Sequence, residues 1–184
     1  MKYENIRLHT ERLDLRPFAV EDTQDWFSIM SDPVVLRYWS HTAWESQGEA
    51  ESAIRNDMAA MANNEYLKLA VVEKSSGKVI GMCIAFSHHA ASRRIEIGYC
   101  LATDAQKKGY MREAMHAFIL FLQQKLNIRR FEADIHPDNL ASRGLLMRMG
   151  FELEGRLKER WIVGEEISDS LVFGLLSNKQ ENIL

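Results

Sequence analysis

The chain has 184 residues and a formal charge of −3 at pH 7, enough sequence for one domain with a substantial core. Its composition, 46% hydrophobic and 27% charged with ten Gly and three Pro, excludes disordered and fibrous classes, and the acidic balance speaks against direct nucleic-acid contact. Cys83 and Cys100 cannot build a disulfide framework, no His/Cys spacing suggests a metal, and no apolar stretch is long enough for a membrane span or a signal peptide, so a reduced cytoplasmic protein is expected.

In chain order, Arg12–Arg16 alternates apolar and charged residues as a half-buried strand does, and Pro17 ends it. Glu21 and Asp22 open a helix whose apolar positions are Trp26, Phe27, Ile29 and Met30; Asp32-Pro33 breaks it. An aromatic loop, Tyr38–Trp44, leads to a second helix over Glu45–Met61. Leu67–Glu73 and Val79–Phe86 read as a hairpin, with His88 and His89 in the loop that follows, and Ile95–Leu101 as a further strand. Gly109–Leu126 is an amphipathic helix with Met111, Met115, Phe118, Leu122 and Leu126 on one face. A strand at Phe131–Ile135, a short helix at Leu140–Met149 stopped by Gly150, and strands near Phe151–Val163 and Ile167–Leu175 complete a mixed α/β order.

The segment most suggestive of chemistry joins the Ile95–Leu101 strand to the long helix: Gln106-Lys107-Lys108-Gly109-Tyr110-Met111. A helix start offers unpaired N–H groups and the positive end of the helix dipole, and Gly109 allows close approach of a bulky anion. Read alone, Gly109 is equally a simple turn with two solvated lysines.

With these residues in order, the sequence resembles the GNAT superfamily of N-acetyltransferases, and within it the RimJ/RimL-type, ribosomal-protein N-terminal acetyltransferase-like branch. The resemblance runs through Thr10-Glu11-Arg12-Leu13, Leu15-Arg16, Asp32-Pro33, Arg37-Tyr38-Trp39, Glu96-Ile97-Gly98-Tyr99, the Gln106–Met111 motif, Asn139 with Ser142, Gly150-Phe151 and Gly155. It implies one domain over residues 1–184, an α/β fold whose mixed, mostly antiparallel sheet splays in the middle between helices on both faces, and acetyl-CoA as cosubstrate without a metal. It also implies a primary amine as acceptor, a protein N-terminus above all, and a monomer or homodimer.

By that resemblance the main chain of Leu101 and Thr103 meets the pantetheine arm, and the amides from Gln106 through Lys107, Lys108, Gly109 and Tyr110 to Met111 hold the diphosphate. Met111 departs from the motif, which ends on Gly or Ala. Leu146 stands where many members carry a thiolate-protonating Tyr, so Ser142 becomes the candidate general acid, with Asn139 beside the pantetheine; the plainer reading makes Ser142 an ordinary first-turn residue. Period-2 alternation places Glu96 with Gly98 and Cys100 on one face of a central strand. A carboxylate there needs a partner or a task, so Glu96 is either the base that receives the amine's proton or half of a salt bridge with Arg94 or Arg112. Trp39, His41 and Trp44 are candidate walls for the acceptor, or else core aromatics. A small amine as acceptor, or a catalytically silent CoA-binding module, are the competing functions.

Overall fold

The computed structural model describes residues 2–177. Its strands are β1 (Leu8–His9), β2 (Leu13–Arg16), β3 (Leu67–Glu73), β4 (Val79–His89), β5 (Arg94–Leu101), β6 (Arg130–Ile135), β7 (Glu152–Val163) and β8 (Glu166–Leu176). The helices are α1 (Thr23–Met30), α2 (Pro33–Leu36), α3 (Gln47–Ala62), α4 (Tyr110–Leu126) and α5 (Leu140–Arg148). The strands make one sheet in the order β1-β2-β3-β4-β5-β6-β8-β7, antiparallel at every junction except β5–β6, where α4 forms the crossover.

Strand alternation divides the interior in two. Ile95, Ile97 and Leu101 of β5 enter a core beneath α4 and α5, while Cys100 enters a second core with Trp26, Ile29 and Ile54 of α1 and α3. The α4 positions Met111, Ala114, Met115, Phe118, Ile119 and Leu122 are all buried, the three-four spacing of one helical stripe. Burying a side chain such as Phe118 or Leu122 contributes about 1.5–3 kcal/mol.

Three local details differ from the sequence expectation. Asp32-Pro33 ends α1 and also starts α2: Pro33 takes the first helical position and Asp32 accepts from Val34 N at 2.8 Å. The strand β4 runs on to His89, so His88 and His89 belong to it. A register shift between Phe86 and His89, with Ser87 at φ +53°, lets this polar end stay in the ladder. The two-residue β1 was too short to show a pattern.

The parallel pair β5–β6 has three rungs, Arg94↔Arg130, Ile95↔Phe131 and Glu96↔Glu132. Beyond them β5 keeps only β4 as neighbour and β6 only β8, so the sheet forks. Arg94 and Arg130 clasp the closed part: both contact Glu132, at 2.9 and 2.7 Å, and Arg130 also pairs with Glu154.

Candidate active site

A cavity of about 640 Å³ opens at the fork, and it collects Trp39, His41, Glu96, Gly98, Asn139 and Ser142 from three separate stretches of chain. Glu96 is half-buried at the last rung, where the strands part. Arg94, its basic neighbour on the same face, pairs with Glu132 instead. Among the described residues Glu96 makes no hydrogen bond and no ion pair. Burial, and then the charges of Asp134 and Glu132, hold its carboxyl above the usual carboxylate range. Of the two readings open in the sequence, the salt bridge is absent.

Ser142 lies in the first turn of α5, half-buried. Asn139 caps that helix, its Oδ1 accepting from Ser142 N at 3.1 Å, and itself lines the cavity. The Tyr99 hydroxyl donates to the Ser142 carbonyl at 3.4 Å, and burial pushes its phenol up to about 12. A hydrogen bond from the Ser142 side chain to the same phenol works against that rise.

The turn before α4 has two left-handed residues, Lys107 at φ +62° and Gly109 at φ +82°. At Gly109 that conformation favours glycine. No acceptor among the described residues takes the amides of residues 107–112; the first helical bond is Glu113 N to the Gly109 carbonyl, at 3.1 Å. Six unclaimed N–H groups at a helix start fit a diphosphate. The Met111 side chain points away from them into the core, 4.0 Å from the Cys83 sulfur, so this departure from the motif obstructs nothing. Gln106 ties the turn back to its strand through Nε2 to the Leu101 carbonyl, at 3.2 Å, and the Thr103 hydroxyl donates to Asp32 at 2.6 Å. For Thr103 only main-chain groups remain to meet a ligand.

The aromatic loop divides. Trp39 and His41 line the cavity in edge contact at 5.6 Å. Trp44 does not line it: its ring packs against Trp26 at 6.0 Å and joins the second core. Burial raises both thiols, Cys100 to about 12, so neither cysteine offers a thiolate.

The arrangement can therefore hold a diphosphate-bearing thioester along the open edge of β5 and an amine above Glu96. Comparison with known proteins decides the family: the family model described as an acetyltransferase (GNAT) domain matches residues 12–152. The chain belongs to the GNAT acetyltransferase family. It is 35% identical over 186 residues to the [Ribosomal protein uS5]-alanine N-acetyltransferase of Escherichia coli (strain K12), covering 92% of this chain and 90% of that one. Among solved structures, Mycobacterium smegmatis RimJ in complex with CoA-disulfide superposes with a TM-score of 0.84 at 21% identity, over 92% of this chain and 84% of its own. The microcin C7 self immunity acetyltransferase MccE, solved with acetyl-CoA and AMP, gives 0.80 at 21% identity, over 91% and 93%. At that identity the two structures speak for the fold alone.

In this GNAT chain the cavity also contains residues the sequence did not single out for a role. Asp134 lies two residues past Glu132 on the same face of β6 and accepts from Ser170 Oγ at 3.0 Å and from Trp161 Nε1 at 3.4 Å. The alternation Glu132-x-Asp134 was the signal available for it. Tyr38 stacks on His136 at 5.0 Å, joining the aromatic loop to the β6–α5 turn beside the cavity. No helix among the described residues is long and apolar enough to cross a membrane.

Proposed function

We propose that this GNAT acetyltransferase moves the acetyl group of acetyl-CoA to the α-amine of a protein N-terminus, by direct attack while both substrates are bound. The observation that carries the reading is Glu96: an unpaired, half-buried carboxylate at the floor of a fork whose mouth also contains the Ser142 hydroxyl. Acetyl-CoA supplies the activated thioester. The amides of residues 107–112 hold its diphosphate, and the main chain of Leu101 and Thr103 with the Asn139 NH₂ aligns the pantetheine. Trp39 and His41 wall the acceptor. Glu96 takes the proton the amine loses as its nitrogen bonds to the acetyl carbon, and Ser142 gives a proton to the departing sulfur.

The strength of base required points toward an α-amine. Such a group is already neutral in roughly a tenth of molecules at pH 7, whereas a lysine side chain is neutral in about one in 2,500. A single carboxylate of raised pKa is sufficient for the first. The likeness to the uS5-alanine enzyme supports the same acceptor class. Met111 and Leu146, the two departures from the motifs that motivate a silent CoA-binding module, both turn into the core.

A thiol-release assay with acetyl-CoA and a panel of N-terminal peptides, amino acids, polyamines and amine-bearing drugs tests the proposal. The expected result is turnover of peptides beginning with a small residue. Faster turnover of a small free amine than of every peptide would reassign the acceptor.

A further inference from the structure

The Thr10–Leu13 stretch lies at the β1–β2 edge of the sheet, away from the fork between β5 and β6, and none of the steps above uses it. We infer that Arg12 is a positioning residue for the diphosphate turn: anchored on Glu113, it fixes the Lys108–Gly109 peptide so that the amides behind it face the ligand. This rests on the reading that the turn seats the diphosphate of acetyl-CoA.

The anchor is one carboxylate receiving donors from two directions. Glu113, in the first turn of α4, accepts from Thr10 Oγ1 at 2.6 Å, Arg12 N at 2.9 Å and Arg12 Nε at 2.7 Å, and pairs with Arg12 Nη2 at 2.7 Å. Burial opposes its charge, yet the Thr10 and Arg12 hydrogen bonds together hold it below the usual carboxylate range. The backbone beneath Arg12 is fixed as well. Thr10 N donates to the Leu13 carbonyl at 2.9 Å, Leu13 N to Thr10 Oγ1 at 3.0 Å, and Lys74 N to the Arg12 carbonyl at 3.0 Å.

With Nε and Nη2 both held by Glu113, the remaining guanidinium nitrogen acts on the turn. Nη1 donates to the Lys108 carbonyl at 3.0 Å, and Nη2 lies 3.4 Å from the position a Gly109 Cβ would take. The guanidinium also covers the Tyr110 ring, 4.6 Å from its centre. A trans peptide is planar, with its C=O and N–H pointing in opposite directions. Pulling the Lys108 carbonyl toward Arg12 therefore sends the Gly109 N–H the other way, where no protein acceptor meets it among the described residues. Glu113 balances the charge of Arg12, so the contribution is geometric: the guanidinium holds the turn and need not touch the diphosphate.

Two probes separate this role from general stability: acetyl-CoA, and S-acetylpantetheine, which carries the same thioester arm without the diphosphate. Arg12→Ala should weaken CoA binding in calorimetry about tenfold and lower kcat/KM for acetyl-CoA equally, the loss falling in KM. Its kcat/KM for S-acetylpantetheine should stay within about twofold of the parent enzyme's. Arg12→Lys, which keeps the charge and cannot span Glu113 and the Lys108 carbonyl together, should recover part of the loss and serves if Arg12→Ala folds poorly. Unchanged CoA affinity in both variants, or equal losses on both thioesters, would overturn the inference while leaving the seat intact. A parent enzyme that uses the two thioesters equally well would remove the diphosphate seat itself, and the inference with it.

Discussion

Glu96 and Glu132 are the same residue type, directly opposite each other on the last rung of the parallel pair. Glu132 sits in the closed part of the sheet and contacts both Arg94 and Arg130. Glu96 faces the open part, without a partner and with its carboxyl held above the usual range. Where strands stay paired, charges are matched and serve the fold; where they separate, a carboxylate is left to act on something from outside. The contrast separates a structural glutamate from one available for chemistry.

Substitutions on either side of the rung test that contrast. Glu96→Gln should cost the most activity, lowering kcat at pH 7 about a hundredfold with a peptide acceptor in the thiol-release assay. Its stability should move the opposite way. A carboxyl whose pKa is raised on folding stabilises below its unfolded pKa, and that contribution is lost as pH rises through the folded value. Glu96→Gln should therefore have a higher Tm than the parent protein at pH 7, with the gain vanishing below the ordinary carboxylate range. Ser142→Ala should lower kcat about tenfold, by removing the proton donor to the sulfur, while its Tm stays close to the parent's. Glu132→Ala should reverse the pattern: a loss of about 1–2 kcal/mol in urea unfolding as two arginines lose their shared partner, with kcat little changed. Asn139→Ala should have the smallest effect, about 1 kcal/mol for the lost cap of α5.

Much of this was legible in the residues. The strand Leu67–Glu73 runs between the expected ends because apolar residues dominate it and the Ser75–Lys78 turn closes it. Gly109 marks its corner because its left-handed backbone favours that residue. The fork was expected only through the family resemblance, since how far two strands stay paired is a non-local property with no local pattern. For the same reason the sequence left Glu96 between a salt bridge and a free base: Arg94 is two residues away on the same face, and only the structure shows that it pairs with Glu132 instead. Trp39 and Trp44 sit in one loop with similar neighbours, and the path of that loop alone sends one to the cavity and the other to Trp26.

The central claim, that Glu96 takes the proton from the acceptor amine, is tested most directly by the pH dependence of kcat for one N-terminal peptide. With Glu96 present, the bound amine can pass its proton to the carboxylate, so activity should persist below the amine's own pKa and fall only as Glu96 itself becomes protonated. In Glu96→Gln the amine must arrive already neutral, and the acid limb should move up to the ordinary α-amine value, about 7.7–8.0. Superimposable profiles for the two proteins would contradict the account.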